Sequence, residues 1–194
     1  TMGLLEQTIK YGSLLQTYHY IEEPAKLFAS DAAHKSVYAY RFNWGTNPAV
    51  TGDSYSRFVG AIHGLDVNFL LGFYPNNYQQ IAPNAVSSAN EKGRLALTNT
   101  MRMYIKNFMK NGNPNGDGLN SWNTWGENEL VKVMMFDANN TTDLTAMSTS
   151  YYTQDDIFDQ IRAGVSKGTY ETMFENSLKG RFFVPEIIPK YEKN

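Results

Sequence analysis

The chain has 194 residues, 42% of them apolar, 14% aromatic and 19% charged, which is the balance of a globular protein with a substantial core rather than a disordered one. Seventeen basic against nineteen acidic residues leave a net charge of −2 with no basic block, so nucleic acid is excluded as a partner; no apolar run nears the ~18 residues a membrane span needs. Cysteine is absent, which removes disulfides, metal–thiolate sites and a cysteine nucleophile.

In chain order, residues 1–19 are amphipathic through Leu4, Leu5, Ile9, Leu14 and Leu15, and Gly12 predicts a break into two short helical pieces. Pro24 suits a first helical turn, so residues 24–33 read as a helix with Ala25, Leu27, Phe28 and Ala32 available for packing. His19 and His34 have no glycine or acidic setting and read as surface or boundary residues. Residues 36–44 change character: Val37, Tyr38, Tyr40, Phe42 and Trp44 are strand formers, and the dense apolar content predicts burial on both faces. Residues 45–56, rich in Gly, Asn, Pro and Ser, read as a loop.

That loop leads to Gly60-Ala61-Ile62-His63-Gly64-Leu65-Asp66, followed by an apolar run to Gly72. Glycine has no Cβ, so a backbone flanked by Gly60 and Gly64 turns sharply and projects the imidazole of His63 from a loop. An imidazole titrates near neutral pH and suits proton transfer, although a histidine near glycines is also compatible with a purely structural role. Residues 73–90 carry two prolines and predict a long exposed connection. Residues 91–110 predict a helix, with Leu97, Met101, Tyr104 or Ile105, and Phe108 at helical spacing and Asn111-Gly112 as its stop. Residues 130–136 predict a second strand with Met134 and Met135 in the core. Thr153 followed by Asp156 forms a capping-box pattern, and Ile157, Ile161 and Val165 continue at four-residue steps. After Gly168, Met173, Phe174 and Leu178 resume a helical stripe, and the tail from 182 to 194 is expected over the surface. No internal repeat or domain linker is found.

The histidine stretch resembles the loop of the type-B carboxylesterase/lipase family, the cholinesterase-like α/β-hydrolases, in which G-x-x-H-G-x-[DE] carries the triad histidine. Gly60 to Asp66 match it position by position. Three more matches follow the family's order: the strand Val37-Tyr38-Ala39-Tyr40-Arg41-Phe42-Asn43-Trp44, the helix end from Asn107-Phe108 to Gly112-Asn113-Pro114-Asn115-Gly116, and Trp122 with Trp125. The last pair falls where the family has a W-P-x-Y-like segment, here with Asn123 and Trp125 replacing Pro and Tyr. Together they cover about residues 22–138. The resemblance implies an α/β fold, specifically the C-terminal portion of an α/β-hydrolase with the last strands of a mixed, mostly parallel sheet. Residues 1–194 would then be the C-terminal part of one catalytic domain.

By the same resemblance His63 is the triad histidine, and the reaction is carboxylic ester hydrolysis through an acyl-enzyme, with no cofactor and no metal. The family order is Ser, acid, His, so the serine, the acid and the glycine-rich oxyanion loop would lie in an N-terminal part that is this chain's expected partner. Alone, the chain is expected to be inactive. Gly64 and Asp66 are expected to hold the loop, Asp66 by hydrogen bonding within the pocket. Leu65 and Phe69 would line the alcohol side of a small ester substrate, and ordinary core packing describes them equally well. Thr1-Met2-Gly3-Leu4 shows no signal-peptide pattern, and the resemblance puts the natural N-terminus upstream.

One serine motif competes. Gly164-Val165-Ser166-Lys167-Gly168 fits G-x-S-x-G, but a nucleophile elbow needs a buried strand before it, and the residues leading in have helical spacing. A helix-to-helix joint is expected there. Two other readings stand beside the esterase: a non-catalytic cholinesterase-like adhesion protein, against which an intact His63 argues, and an unrelated small domain, against which four ordered motifs argue. If the rest of a sheet is missing, an apolar face should be exposed where further strands would pair.

Overall fold

The computed structural model describes residues 3–31, 33, 36–75, 82–126 and 131–178. Its elements in order are α1 (Leu4–Thr17), a π-helical turn (Tyr18–Glu22), α2 (Glu23–Ser30), β1 (Ala39–Phe42), α3 (Pro48–Thr51), α4 (Asp53–Phe58), α5 (Leu65–Leu71), α6 (Glu91–Asn111), β2 (Val133–Phe136), β3 (Ala146–Ser148), α7 (Gln154–Gly164), α8 (Lys167–Met173) and a second π-helical turn (Phe174–Leu178). The chain divides into two compact units, one of Thr1–Val37 with Ser150–Asn194 and one of Tyr38–Thr149.

The first unit is helical. α1 runs unbroken through Gly12, against the expected break. A helix-interior glycine costs about 1 kcal/mol relative to alanine, and here Gln7, Tyr11, Gly12 and Leu15 form one buried stripe against α7, α8 and the second π-turn. Burial of that stripe outweighs the local penalty. The Tyr11 hydroxyl also donates to the Gln160 carbonyl at 3.3 Å. Ile157, Ile161 and Val165 are buried with Met173, Phe174 and Leu178, as their spacing predicts, and Phe158 and Tyr170 join them. Thr153 caps α7 in the expected box: its hydroxyl receives the Asp156 N–H at 3.2 Å, and Asp156 accepts the Thr153 N–H at 2.8 Å. α2 is an eight-residue helix with Glu23 and Pro24 in its first turn. His19 takes the boundary position: its side chain is 11% exposed and sits 3.2 Å from Glu23. His34 and the tail from 182 lie outside the described residues.

The second unit holds a mixed sheet in the order β1-β2-β3. β1 pairs parallel with β2, from Ala39 opposite Val133 to Phe42 opposite Phe136, and β2 pairs antiparallel with β3. A parallel pair needs a long crossover, which the segment containing α3 to α6 supplies. Both predicted strands are therefore present, shorter than expected; residue 130 lies outside the described residues, and β3 has no sequence-based forecast. Met134 is fully buried and Met135 half-buried. Side chains alternate along β1, and Tyr40 and Phe42 join the main core.

α6 presents Leu97, Met101 and Tyr104 to that core, all fully buried. Phe108 does not follow them and stays 44% exposed, with its ring edge-on to Tyr38 at 6.1 Å. At 1.5 Å per residue it lies about 16 Å along the helix from Leu97, whereas a four-residue strand is only about 13 Å long. The helix outruns the sheet. After Gly112, Asn115 accepts the Trp122 N–H at 2.6 Å and returns a bond to the Trp122 carbonyl at 3.0 Å. The Trp122 indole donates in turn to Ala39 of β1 at 3.2 Å, so the turn after α6 is tied to the strand by one tryptophan.

Two loop expectations give way. Residues 45–56 contain α3 and most of α4: Asn47 accepts the Ala49 N–H at 3.0 Å and Pro48 occupies the first turn, a cap-and-proline start that polar composition disguised. Of residues 73–90, 76–81 lie outside the described residues, but Ala82, Ala85, Val86 and Asn90 are buried rather than exposed. The Ala85 carbonyl receives the Trp44 indole N–H at 2.9 Å, which draws this segment into the core.

Candidate functional site

The loop between α4 and α5 is held from both sides. Upstream, the Gly60 N–H donates to the Tyr55 carbonyl at 2.9 Å. Downstream, the Leu65 N–H donates to Ile62 at 3.2 Å and opens α5. Gly60 has φ +60° and Gly64 has φ +84°, a left-handed region that disfavours side chains, so the sharp turn at both ends depends on glycine. A third glycine sets the loop's position. At Gly45, φ is +111° and a Cβ would overlap the Gly60 carbonyl oxygen, so the two backbones pack directly on each other. Nothing in the local sequence around Gly45 signals that approach.

His63 is exposed at the tip, as the glycine pattern predicts. Among the described residues no side chain hydrogen-bonds to its imidazole, so within that set both ring nitrogens are unengaged. The adjoining Ile62 is 42% exposed. Beneath the loop the environment reverses: Leu65 and Phe69, one helical turn apart, are fully buried. The Phe69 ring meets those of Phe42, Trp44 and Tyr74 at centroid distances of 5.0, 5.5 and 5.4 Å. In this chain both side chains are core anchors of α5.

Asp66 stands in the first turn of α5 and accepts the Tyr40 hydroxyl at 2.9 Å. That bond links the helix following His63 to the middle of β1. Burial, then the Asp66 charge and the bond to it, hold the Tyr40 phenol well above its usual titration range, so it remains a neutral donor. The sequence marks Tyr40 only as a strand former; nothing local to it signals that its hydroxyl meets Asp66, 26 residues away.

Ser166 is built differently. It lies between α7 and α8 and caps α8, its hydroxyl receiving the Thr169 N–H at 3.3 Å and lying 2.9 Å from the Thr169 hydroxyl. A helix precedes it, so the G-x-S-x-G match is the expected joint and not an elbow. Among the described residues no three His, Asp or Glu side chains gather as a metal site, and no helix is long and apolar enough to cross a membrane.

The second unit therefore presents an accessible imidazole on a loop fixed by three glycines, over an aromatic floor. Such a group can accept and return a proton if a reacting hydroxyl is placed beside it. Residues 6–158 match the model of the carboxylesterase family. Carboxylesterase 1C of Mus musculus is 30% identical over 109 residues, which make up 55% of this chain and 17% of that protein. The match thus spans a minor share of the relative's length.

Proposed function

The chain belongs to the carboxylesterase family, and from that premise we propose that it is the C-terminal, histidine-bearing part of a serine carboxylesterase. Family membership implies an α/β-hydrolase fold, with which a small mixed sheet and its packed helices are consistent as a part. The observation that carries the proposal is the open imidazole of His63 on a loop whose turns require Gly60 and Gly64.

In this reading a serine from the N-terminal part attacks the ester carbonyl while His63 takes the hydroxyl proton. The tetrahedral intermediate collapses to an acyl-enzyme as His63 returns that proton to the departing alcohol. Water then attacks the acyl group by the same route, and the acid is released. A carboxylate, also from the N-terminal part, faces the second imidazole nitrogen and stabilises the imidazolium. Asp66 and Ser166 take neither role, since one is engaged by Tyr40 and the other caps α8. Asp66 and Gly64 hold the loop, and Leu65 and Phe69, fully buried, back the alcohol side as an apolar layer from within the core. No cofactor enters. The partner is the N-terminal part: among the described residues β1 has a strand neighbour on one side only, leaving an edge at which a further strand can pair.

The test is His63→Ala in the complete enzyme. Turnover of a short-chain aryl ester should fall by roughly 10⁴- to 10⁶-fold, as for other triad members that act as a unit. The melting temperature should stay put, because the side chain is exposed. Near-normal turnover would refute the proposal.

A further inference from the structure

Helices α5 and α6 pack together and leave beside their contact an open groove of about 700 Å³, within the ~300–1,000 Å³ range typical of small-molecule sites. Its cationic part comes from Arg102 and Lys106, one helical turn apart on α6. Its apolar part comes from Leu70 of α5 and from Met103, Ile105 and Met109 of α6. Leu71 and Phe73, next in the chain after Leu70, are 66% and 62% exposed.

Among the described residues the charge in this groove is uncompensated. α6 has no acidic residue after Glu91, which lies 4.0 Å from Arg94 instead. The one acid of α5, Asp66, is taken by Tyr40. Among the described residues neither Arg102 nor Lys106 has a carboxylate partner. The Arg102 guanidinium lies against Gly72 at the end of α5, in the region where a Cβ on that glycine would fall, which brings the charge beside α5.

A small inorganic anion would leave the thioethers and the leucine wet, and a neutral hydrocarbon would leave both cations unused. One ligand class satisfies both halves. We propose that this groove binds an amphiphilic carboxylate, its head group on Arg102 and Lys106 and its alkyl chain along Leu70, Met103, Ile105 and Met109. A guanidinium receives a carboxylate through two parallel hydrogen bonds. Unbranched methionines conform readily to a flexible chain. Binding here is separate from any reaction at His63 and does not depend on the ester-hydrolysis reading.

The probe is decanoate, titrated calorimetrically into the 194-residue chain below its micelle concentration. One saturable site is expected, weakened at least tenfold in the double variant Arg102→Gln/Lys106→Gln, with 1-decanol and decyltrimethylammonium binding at least tenfold more weakly than decanoate. Met103→Ser should also weaken decanoate, whereas acetate should show no binding. All substituted residues are exposed, and circular dichroism verifies that the variants remain folded. Repeating the titration on the complete enzyme carrying His63→Ala should return the same site, which separates this proposal from the fate of the triad assignment. Unsaturable uptake, equal affinity for 1-decanol, or full binding by the double variant would overturn it.

Discussion

The two units of this chain are built on different logic. The helical unit closes on stripes of residues three and four apart, Ile157 with Ile161 and Tyr170 with Phe174, whose partners lie on a few neighbouring helices. The sheet unit closes on strand pairing and on side-chain bonds to backbone that tie separate segments together: Trp44 to Ala85, Ala39 to Trp122 and to Val133. Its core is a continuous set of rings, in which Tyr104 and Phe136 meet Trp122 edge-on at 5.3 and 5.4 Å. The candidate catalytic histidine sits on the second kind of structure. A loop that must hold an imidazole in one place gains from a floor whose parts are fixed from several directions at once, whereas a helix stripe fixes mainly the helix itself.

The contrast can be broken most strongly at the ring cluster. Phe69→Ala removes the ring shared by Phe42, Trp44 and Tyr74 and should cost about 3–5 kcal/mol, measured by denaturant unfolding, with amide exchange rising across residues 38–149. Ile161→Ala in the helical unit should cost about 2–5 kcal/mol and raise exchange in α1, α7 and α8. If Phe69→Ala cost under 1 kcal/mol, the aromatic floor would not be what holds the loop.

The same glycine-to-alanine change should have opposite signs in the two units. Gly45→Ala meets the Gly60 carbonyl from a positive-φ position and should destabilise by about 1–3 kcal/mol, and in the complete enzyme it should lower turnover through displacement of the His63 loop. Gly168→Ala, in α8 with open space around it, should stabilise by about 0.4–1 kcal/mol. Thermal melts of both variants test the pair; a neutral Gly45→Ala would remove that glycine from the site.

The smallest effect is in pH. The Thr153 hydroxyl and N–H hold Asp156 below the ordinary carboxylate value of 3.8. Its contribution is therefore present above that value and lost as pH falls through the lower folded one. Asp137 in the sheet unit goes the other way. Burial raises it, against bonds from Asn43 and Ala138 that lower it, so its contribution is present below 3.8 and lost as pH rises through its folded value. Acidification should loosen α7 relative to the strand end at Phe136, read by residue-resolved exchange, and Thr153→Ala, which removes the hydroxyl and keeps the N–H, should reduce the α7 part.

How much could be read beforehand follows the reach of each contact along the chain and not the unit it lies in. Leu97 and Met101, the Thr153–Asp156 box and the turn around His63 are decided within a few residues, where helical spacing, capping groups and glycine act directly, and all were legible. The α3 start at Asn47-Pro48 was equally local, yet the surrounding Gly, Ser and Asn residues masked it. Gly12 misled for the opposite reason: its local penalty is real, but the burial that overrides it comes from helices more than a hundred residues away.

The amino-acid sequence by itself thus determined the family, the strand and helix stripes and the exposed imidazole between its glycines, because neighbouring residues carry that information. Tertiary structure alone decided that Gly45 meets Gly60, that the Tyr40 hydroxyl engages Asp66, and that Leu65 and Phe69 are core anchors. It also decided that Arg102 and Lys106 share a groove with Leu70. Each of these rests on contacts with residues too far along the chain for local geometry to select one partner over another, so only the packing of the whole unit singles it out.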